Sequence, residues 1–203
     1  MRWFFFLLLV LSLSVLGLYA QEELPEPPVE SEWVDYNRTL YTRGDKIFTI
    51  SLGMLFPTVF TGALGENGIG LSTIGGTGSM AFNIFLNSHF FLGGEFGGMF
   101  VGTRGRSMLY MIPFGARIGY QLVYRRFEFP LSLLVGAAPQ LYLQNSNYFG
   151  LVLKPGASVF WRFTQDWSFG LNNIWWFVPQ WPKNGKNAYG NFLELTLSAR
   201  YHF

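Results

Sequence analysis

The last residues of the chain, 191–203, alternate strictly between two kinds of side chain. One face is apolar and carries Leu193, Leu195, Leu197, Ala199, Tyr201 and Phe203. The other carries Phe192, Glu194, Thr196, Ser198, Arg200 and His202. Because successive side chains of a strand point to opposite sides of a sheet, this pattern predicts a strand between an apolar and a polar environment. A strand of a soluble sandwich can alternate in the same way, but it seldom ends on a bare aromatic residue.

The same alternation recurs through most of the chain. With the last segment included, it predicts eight strands, at about 46–56, 73–88, 90–102, 107–121, 127–138, 150–163, 167–178 and 191–203. Large apolar residues share one face of each strand, and most small or charged residues share the other. A water-soluble barrel has the reverse arrangement, so the wide face is expected to meet lipid and the narrow face a lumen. Hydrocarbon offers no partner to an open sheet edge, so the sheet must close. The prediction is an all-β fold, an eight-stranded antiparallel transmembrane β-barrel at 46–203, with a soluble all-β sandwich as the alternative.

The connections between these strands are unequal in length. Short ones are expected at 89, 122–126 and 164–166. Longer ones are expected at 57–72, 139–149 and 179–190, with 103–106 as an exception in length. Short turns face the periplasm in outer-membrane barrels, and longer loops face outward. This order therefore predicts a periplasmic N-terminus.

Composition limits the functional classes. Charged residues make up 13% of the chain, against about a quarter in ordinary soluble domains. The absence of cysteine excludes disulfides and Cys-ligated zinc. The basic residues are scattered, which argues against nucleic-acid binding. Nothing in the sequence indicates a cofactor.

The N-terminal residues differ from the rest. Arg2 precedes an uncharged apolar run that ends near Ala20, which is typical of a signal peptide at 1–20, although an uncleaved membrane helix is the alternative. Residues 21–45 are acidic and rich in proline, and they are predicted to form a periplasmic linker.

Taken together, the signal peptide, eight strands, unequal loops and terminal Phe203 resemble small outer-membrane barrels of the OmpA, OmpX and OmpW types. The glycine-rich stretch 93–98 looks like spirochaetal members of the OmpW/OprG-like group. The resemblance implies a cell outer membrane location, contact with outer-membrane lipid, and Tyr201 and Phe203 as the insertion signal for the barrel-assembly machinery. OmpW-like proteins are associated with passage of small hydrophobic solutes through a side opening.

Two sets of residues are candidate functional positions. The predicted lumen charges are Glu95, Arg117, Glu128, Lys154, Arg162, Glu194 and Arg200. Charges cannot stay unpaired in a narrow interior, so these form either a structural ion-paired plug or a gate. By depth, Glu128 is expected near Arg117, Arg162 and Arg200. Proline cannot donate to a ladder, so each of three prolines within predicted strands should mark a bulge or broken pair in the wall: Pro113, Pro130 and Pro155.

An enzymatic role is not expected. The two histidines, His89 and His202, are both predicted at the periplasmic end, far from the outer leaflet, and they give no metal-site spacing. The sequence thus leaves two functions open. One is a narrow channel or transporter for small, in particular hydrophobic, solutes. The other is a surface structural or adhesive barrel with a filled lumen, in which the loops 57–72 and 179–190 bind a surface ligand.

Overall fold

A computed structural model describes residues 41–62, 73–102, 108–142, 146–181 and 187–203. The chain divides into two units, 1–35 and 36–203, and the described residues all belong to the second. The predicted signal peptide 1–20 and most of the predicted linker 21–45 lie outside the described residues. Within the described part, no helix is long and apolar enough to cross a membrane.

The described residues form nine strands joined in one antiparallel sheet. They are β1 (Lys46–Gly62), β2 (Gly75–Phe85), β3 (Phe90–Gly102), β4 (Met108–Met111), β5 (Phe114–Tyr124), β6 (Phe127–Tyr142), β7 (Ser146–Arg162), β8 (Trp167–Gln180) and β9 (Ala188–His202).

The sheet closes into a barrel with eight wall positions. Apart from β4 and β5, strands that are neighbours in sequence pair with each other, and β9 returns to pair with β1 from Ile47↔His202 to Gly62↔Ala188. Both β4 and β5 pair with β3 on one side and β6 on the other, so together they make one interrupted wall strand. The predicted eight-stranded all-β barrel is confirmed.

Several strands extend beyond their predicted ends. β1 continues to Gly62 and pairs with β9 across a register shift between Pro57 and Phe60. β6 and β7 pair as far as Tyr142↔Ser146. β8 and β9 pair as far as Gln180↔Ala188. The predicted loop boundaries 57–72, 139–149 and 179–190 were therefore wrong. Backbone pairing does not require apolar alternation, so the hydrophobic pattern ends before the strands do.

The two ends of the barrel differ. Residues 86–89, 125–126 and 163–166 connect strands at the same end as His202, and this is called the short-turn end below. Arg125 has a φ of 55°, as a tight two-residue hairpin requires. The opposite end has the connections 63–74, 103–107, 143–145 and 181–187. All of these except 143–145 are longer than any connection at the short-turn end, so this end is called the long-loop end.

The faces follow the sequence alternation. Leu52, Leu197 and Phe96 point outward with 60–70% of their surface exposed, in a belt of large apolar side chains. The inward residues are buried and include most of the charges. Near the long-loop end the lumen holds an apolar cluster, namely Leu55, Met99, Val101, Leu109, Met111, Leu134, Ala138, Val152, Ile174, Trp176, Val178 and Phe192. A smaller cluster of Tyr41, Ile47, Phe85 and Phe91 fills the short-turn end.

Candidate functional site: the charged interior and the wall

The middle of the lumen contains a four-residue ionic cluster next to the larger apolar cluster. Lys154 Nζ lies 2.5 Å from Glu95 Oε1 and 3.4 Å from Glu194 Oε2. Arg117 Nη1 lies 3.5 Å from Glu95 Oε2. Trp176 Nε1 donates to Glu194 Oε2 at 2.5 Å, and its ring lies 4.3 Å from Lys154 Nζ. Two acids and two bases therefore neutralise each other in a site that excludes water.

A second cluster lies toward the short-turn end and is built around Glu128. This carboxylate lies 3.4 Å from Arg162 Nη1 and 3.5 Å from Arg200 Nη1, and it accepts a 3.2 Å hydrogen bond from Gln121 Nε2. The Arg200 guanidinium stacks over the Phe160 ring at 3.5 Å. Arg162 is more exposed and donates to the carbonyl of Gln165 in the adjacent turn.

One predicted pairing was wrong. Arg117 was expected near Glu128, but it pairs with Glu95 and donates to Ser132 Oγ at 3.0 Å. The register gives the reason, because Arg117 lies opposite Leu134, whereas Glu128 lies opposite Val123, six residues closer to the turn. Each of the seven predicted lumen charges nevertheless has an oppositely charged partner in the structure.

A neutral polar cluster lines the wall formed by β8, β9 and β1. Asn172 Nδ2 donates to Ser198 Oγ at 2.5 Å and to Thr196 Oγ1 at 2.9 Å. Ser198 Oγ lies 2.6 Å from Ser51 Oγ. The sequence analysis placed these residues on the inner face but did not identify them as a group. Inward Asn, Ser and Thr at matching positions on consecutive strands would have been the signal.

Tyr41 closes the short-turn end. Its ring stacks on Phe85 with centroids 4.0 Å apart and planes within 3°, and its hydroxyl lies 3.4 Å from His202 Nδ1. Asp45 accepts hydrogen bonds from the Thr42 amide and hydroxyl, and Gly44 donates to the Phe85 carbonyl. Gly44 has a φ of 101°, which favours glycine. Burial, followed by the nearby Glu128 carboxylate, raises the pKa of Tyr41 well above its ordinary value.

The three strand prolines each lie at a local irregularity. Pro113 lies between β4 and β5. Pro130 pairs with Gln121 of β5, but neither it nor Phe129 has a residue partner on β7. Pro155 pairs with Leu133 of β6, but neither it nor Lys154 has one on β8.

The seam between β7 and β8 is the longest of these irregularities. Its pairing ends at Leu153↔Phe177, although both described strands continue, β7 to Ser146 and β8 to Gln180. The inner side of this seam is filled by Val152, Trp176 and Val178, all nearly inaccessible. Gln180 also donates across it to Gln140 of β6. The wall is thus loosened in its backbone pairing but sealed by side chains.

The histidines lie at the short-turn end, His89 in the 86–89 turn and His202 at the end of β9. His202 Nε2 lies 2.9 Å from Ser168 Oγ, a contact that the sequence analysis did not anticipate. Ser168 is completely inaccessible to solvent, so this pair is not open to a substrate. Among the described residues, no group of three or more His, Asp or Glu is placed to hold a metal ion.

Comparison with solved structures shows the same architecture in three outer-membrane proteins. Neisserial surface protein A (NspA) matches with a TM-score of 0.56 and 13% identity, over 79% of this chain and 97% of that one. OprG from Pseudomonas aeruginosa matches with 0.52 and 9%, over 80% and 97%. Ail, the attachment invasion locus protein of Yersinia pestis, matches with 0.50 and 10%, over 80% and 100%. The protein has the fold of small eight-stranded outer-membrane β-barrels.

Sequence comparison identifies relatives of this barrel protein. A protein-family model that names no activity matches residues 27–201, and the chain belongs to that family of Treponema proteins. An "Uncharacterized protein" of Treponema pallidum (strain Nichols) is 27% identical over 167 residues, covering 77% of this chain and 76% of that protein. A second protein of the same organism is 35% identical over 69 residues, but the match spans 34% of this chain and 23% of that protein.

Proposed function

We propose that this barrel is a plugged surface protein. The barrel is anchored in the outer membrane and holds the long loops at the outer surface, and no aqueous channel runs along its axis. The carrying observation is that buried side chains occupy the described lumen near the long loops, in its middle and at the short-turn end. An apolar cluster lies near the long loops, two ionic clusters lie below it, and Tyr41 lies at the mouth. Small barrels of eight strands have interiors that side chains can fill.

The orientation belongs to the same proposal. Both His202 and the segment that leads into β1 lie at the short-turn end. Short turns face the periplasm in outer-membrane barrels, so the N-terminal linker is periplasmic and the long loops face outward. Tyr201 and Phe203 lie on the outward face of β9, in ring contact with each other, where the barrel-assembly machinery can bind them. A non-enzymatic role belongs to the same proposal, because the Ser168–His202 pair is buried and the exposed Ser88–His89 pair lies in a turn at the short-turn end, away from the outer leaflet.

Conductance tests the closed lumen. Refolded protein in planar bilayers or liposomes is expected to give no ion-conducting steps and no sucrose-driven swelling, whereas a general porin in the same liposomes gives both. Stable conductance steps from the wild-type barrel would refute the plug.

The surface role is tested with intact cells that carry variants in which residues 63–72 or 182–186 are replaced by short linkers. Binding of these cells to a target surface is compared with binding of cells that carry the wild type. These limits spare the paired residues of β1, β8 and β9. Unchanged binding in both variants would refute the role of the loops.

A second candidate function, lateral passage of small hydrophobic solutes, is favoured by the β7–β8 seam. In the continued register Leu151 faces Pro179, and proline cannot donate to a ladder there. A double variant, Leu151→Cys with Pro179→Cys, locks this seam when oxidised. The matched control, Leu171→Cys with Leu197→Cys, joins two residues that are already paired on β8 and β9. If solutes pass at the seam, oxidation lowers liposome uptake of a hydrophobic fluorescent probe in the first variant only. Equal uptake by locked and reduced forms would exclude this route.

A further inference from the structure

The lipid-facing surface carries a shallow apolar groove with a volume of about 1210 Å³. It runs across the strands from β3 to β8, and its centre is lined by Leu131, Leu133, Pro155, Ala157, Asn173 and Trp175. The register makes two rows of these residues, because Leu131 lies opposite Ala157 and Ala157 opposite Asn173, while Leu133 lies opposite Pro155. Ala157 has a small side chain on the lipid face, so another surface can approach closely there.

Within β8, a polar side chain interrupts the apolar surface of this groove. Asn173 is exposed on the lipid face, between Leu171 and Trp175, which are 56% and 42% exposed. Within the described part of the chain, no hydrogen bond reaches its carboxamide. Hydrocarbon supplies neither a donor nor an acceptor, so an unpaired amide at this position is costly. Polar residues that face lipid are rare for this reason, and they usually mark a contact.

We propose that this groove is the contact surface of a two-fold symmetric dimer of the protein in the membrane, in which the Asn173 side chains of the two copies hydrogen-bond to each other. A carboxamide carries both a donor and an acceptor. Two copies related by a two-fold axis therefore satisfy each other with reciprocal bonds from the same residue. Lipid chains can fill the apolar parts of the groove, but they leave the amide unpaired. A second copy supplies both the apolar surface and the missing partner.

Disulfide cross-linking tests the position of the axis, because the chain contains no cysteine. The test variant is Asn173→Cys. The control is Met80→Cys, which is 55% exposed on the lipid face of β2, three wall positions away from β8. In liposomes at a low protein-to-lipid ratio, mild oxidation should produce the disulfide-linked dimer at least tenfold faster from Asn173→Cys. Equal rates for the two variants indicate random collision and overturn the proposal.

The hydrogen bond itself is tested without a new thiol. Asn173→Leu is expected to fold normally, since the residue faces lipid, and heat-modifiable gel mobility checks this. Its dimer should dissociate about five- to thirtyfold more readily than the wild type, as expected for one lost polar contact in a membrane. Energy transfer between labelled copies in liposomes measures the change. Asn173→Gln should retain most of the association. A dissociation constant unchanged in Asn173→Leu, or a wild type that stays monomeric, overturns the proposal.

Discussion

Replacing Lys154 with methionine should expose the energetic role of the ionic clusters. Lys154 forms ion pairs with both Glu95 and Glu194, and its removal affects the two carboxylates differently. Glu95 keeps Arg117 at 3.5 Å, whereas Glu194 keeps only the indole N–H of Trp176. The uncompensated charge therefore falls on Glu194, which is completely buried. Removing one partner of a buried pair costs about 3–5 kcal/mol, so Lys154→Met should lower the free energy of unfolding by that amount.

Adding Glu194→Gln to Lys154→Met removes the stranded charge and keeps an acceptor for Trp176. The remaining buried charges are then balanced, Glu95 with Arg117 and Glu128 with Arg200. The double variant should recover about 2 kcal/mol or more of the loss, because unpaired charge is the main cost. Urea unfolding in lipid vesicles, followed by tryptophan fluorescence, measures both, with the exposed Lys46→Met as control. A Lys154→Met variant within about 0.5 kcal/mol of wild type, or a double variant no more stable than the single one, would refute the reasoning.

Three further predictions concern the wall and the mouth. Gly115→Ala should destabilise the barrel by roughly 1–3 kcal/mol, because a Cβ there would lie 2.4 Å from the Val135 carbonyl oxygen. The control is Gly98→Ala, which has open space around it and should change stability by less than about 1 kcal/mol. Urea unfolding measures both. Tyr41→Ala should speed trypsin cleavage after the exposed Arg43 by about tenfold or more. The reason is that loss of the buried stack on Phe85 weakens the docking of the 41–45 turn by roughly 1.4 kcal/mol. An unchanged cleavage rate would contradict this. Because burial raises the folded pKa of Tyr41, its stabilising contribution is complete below its unfolded pKa of about 10 and is lost as the pH rises toward the folded pKa. Protection of Arg43 should therefore begin to fall above about pH 10 in the wild type and should fall less in Tyr41→Phe.

The faces of the strands could be read from the sequence because side-chain direction depends only on local alternation. This is why Glu95, Lys154 and Glu194 were all correctly expected inside. The same alternation does not predict which of these charges pair with each other. Position along a strand gives depth within that strand, but the tilt and stagger of the barrel decide which depths meet. That stagger places Arg117 beside Glu95 and away from Glu128.

Other features depend on more than one strand and escaped sequence analysis for that reason. The Asn172 cluster needs the register of β1, β8 and β9 together. The docking of Tyr41 needs a turn at Gly44 that reverses the chain under the barrel. The proline positions indicated where ladders are interrupted. They did not indicate that β7 and β8 stay unpaired beyond Leu153, since this depends on how far apart the β6–β7 and β8–β9 hairpins lie.

The contact between Tyr41 and His202 joins residues 161 positions apart in the chain. One side of the Tyr41 site comes from Phe85 of β2 and the other from β9, so the site exists only after β1 has acquired both of its neighbours. A partly assembled sheet has plentiful backbone pairing but cannot hold this ring. During insertion, resistance to cleavage at Arg43 should therefore appear when the barrel closes, later than the formation of β-structure. Protection of the 41–45 turn thus reports the final step of assembly.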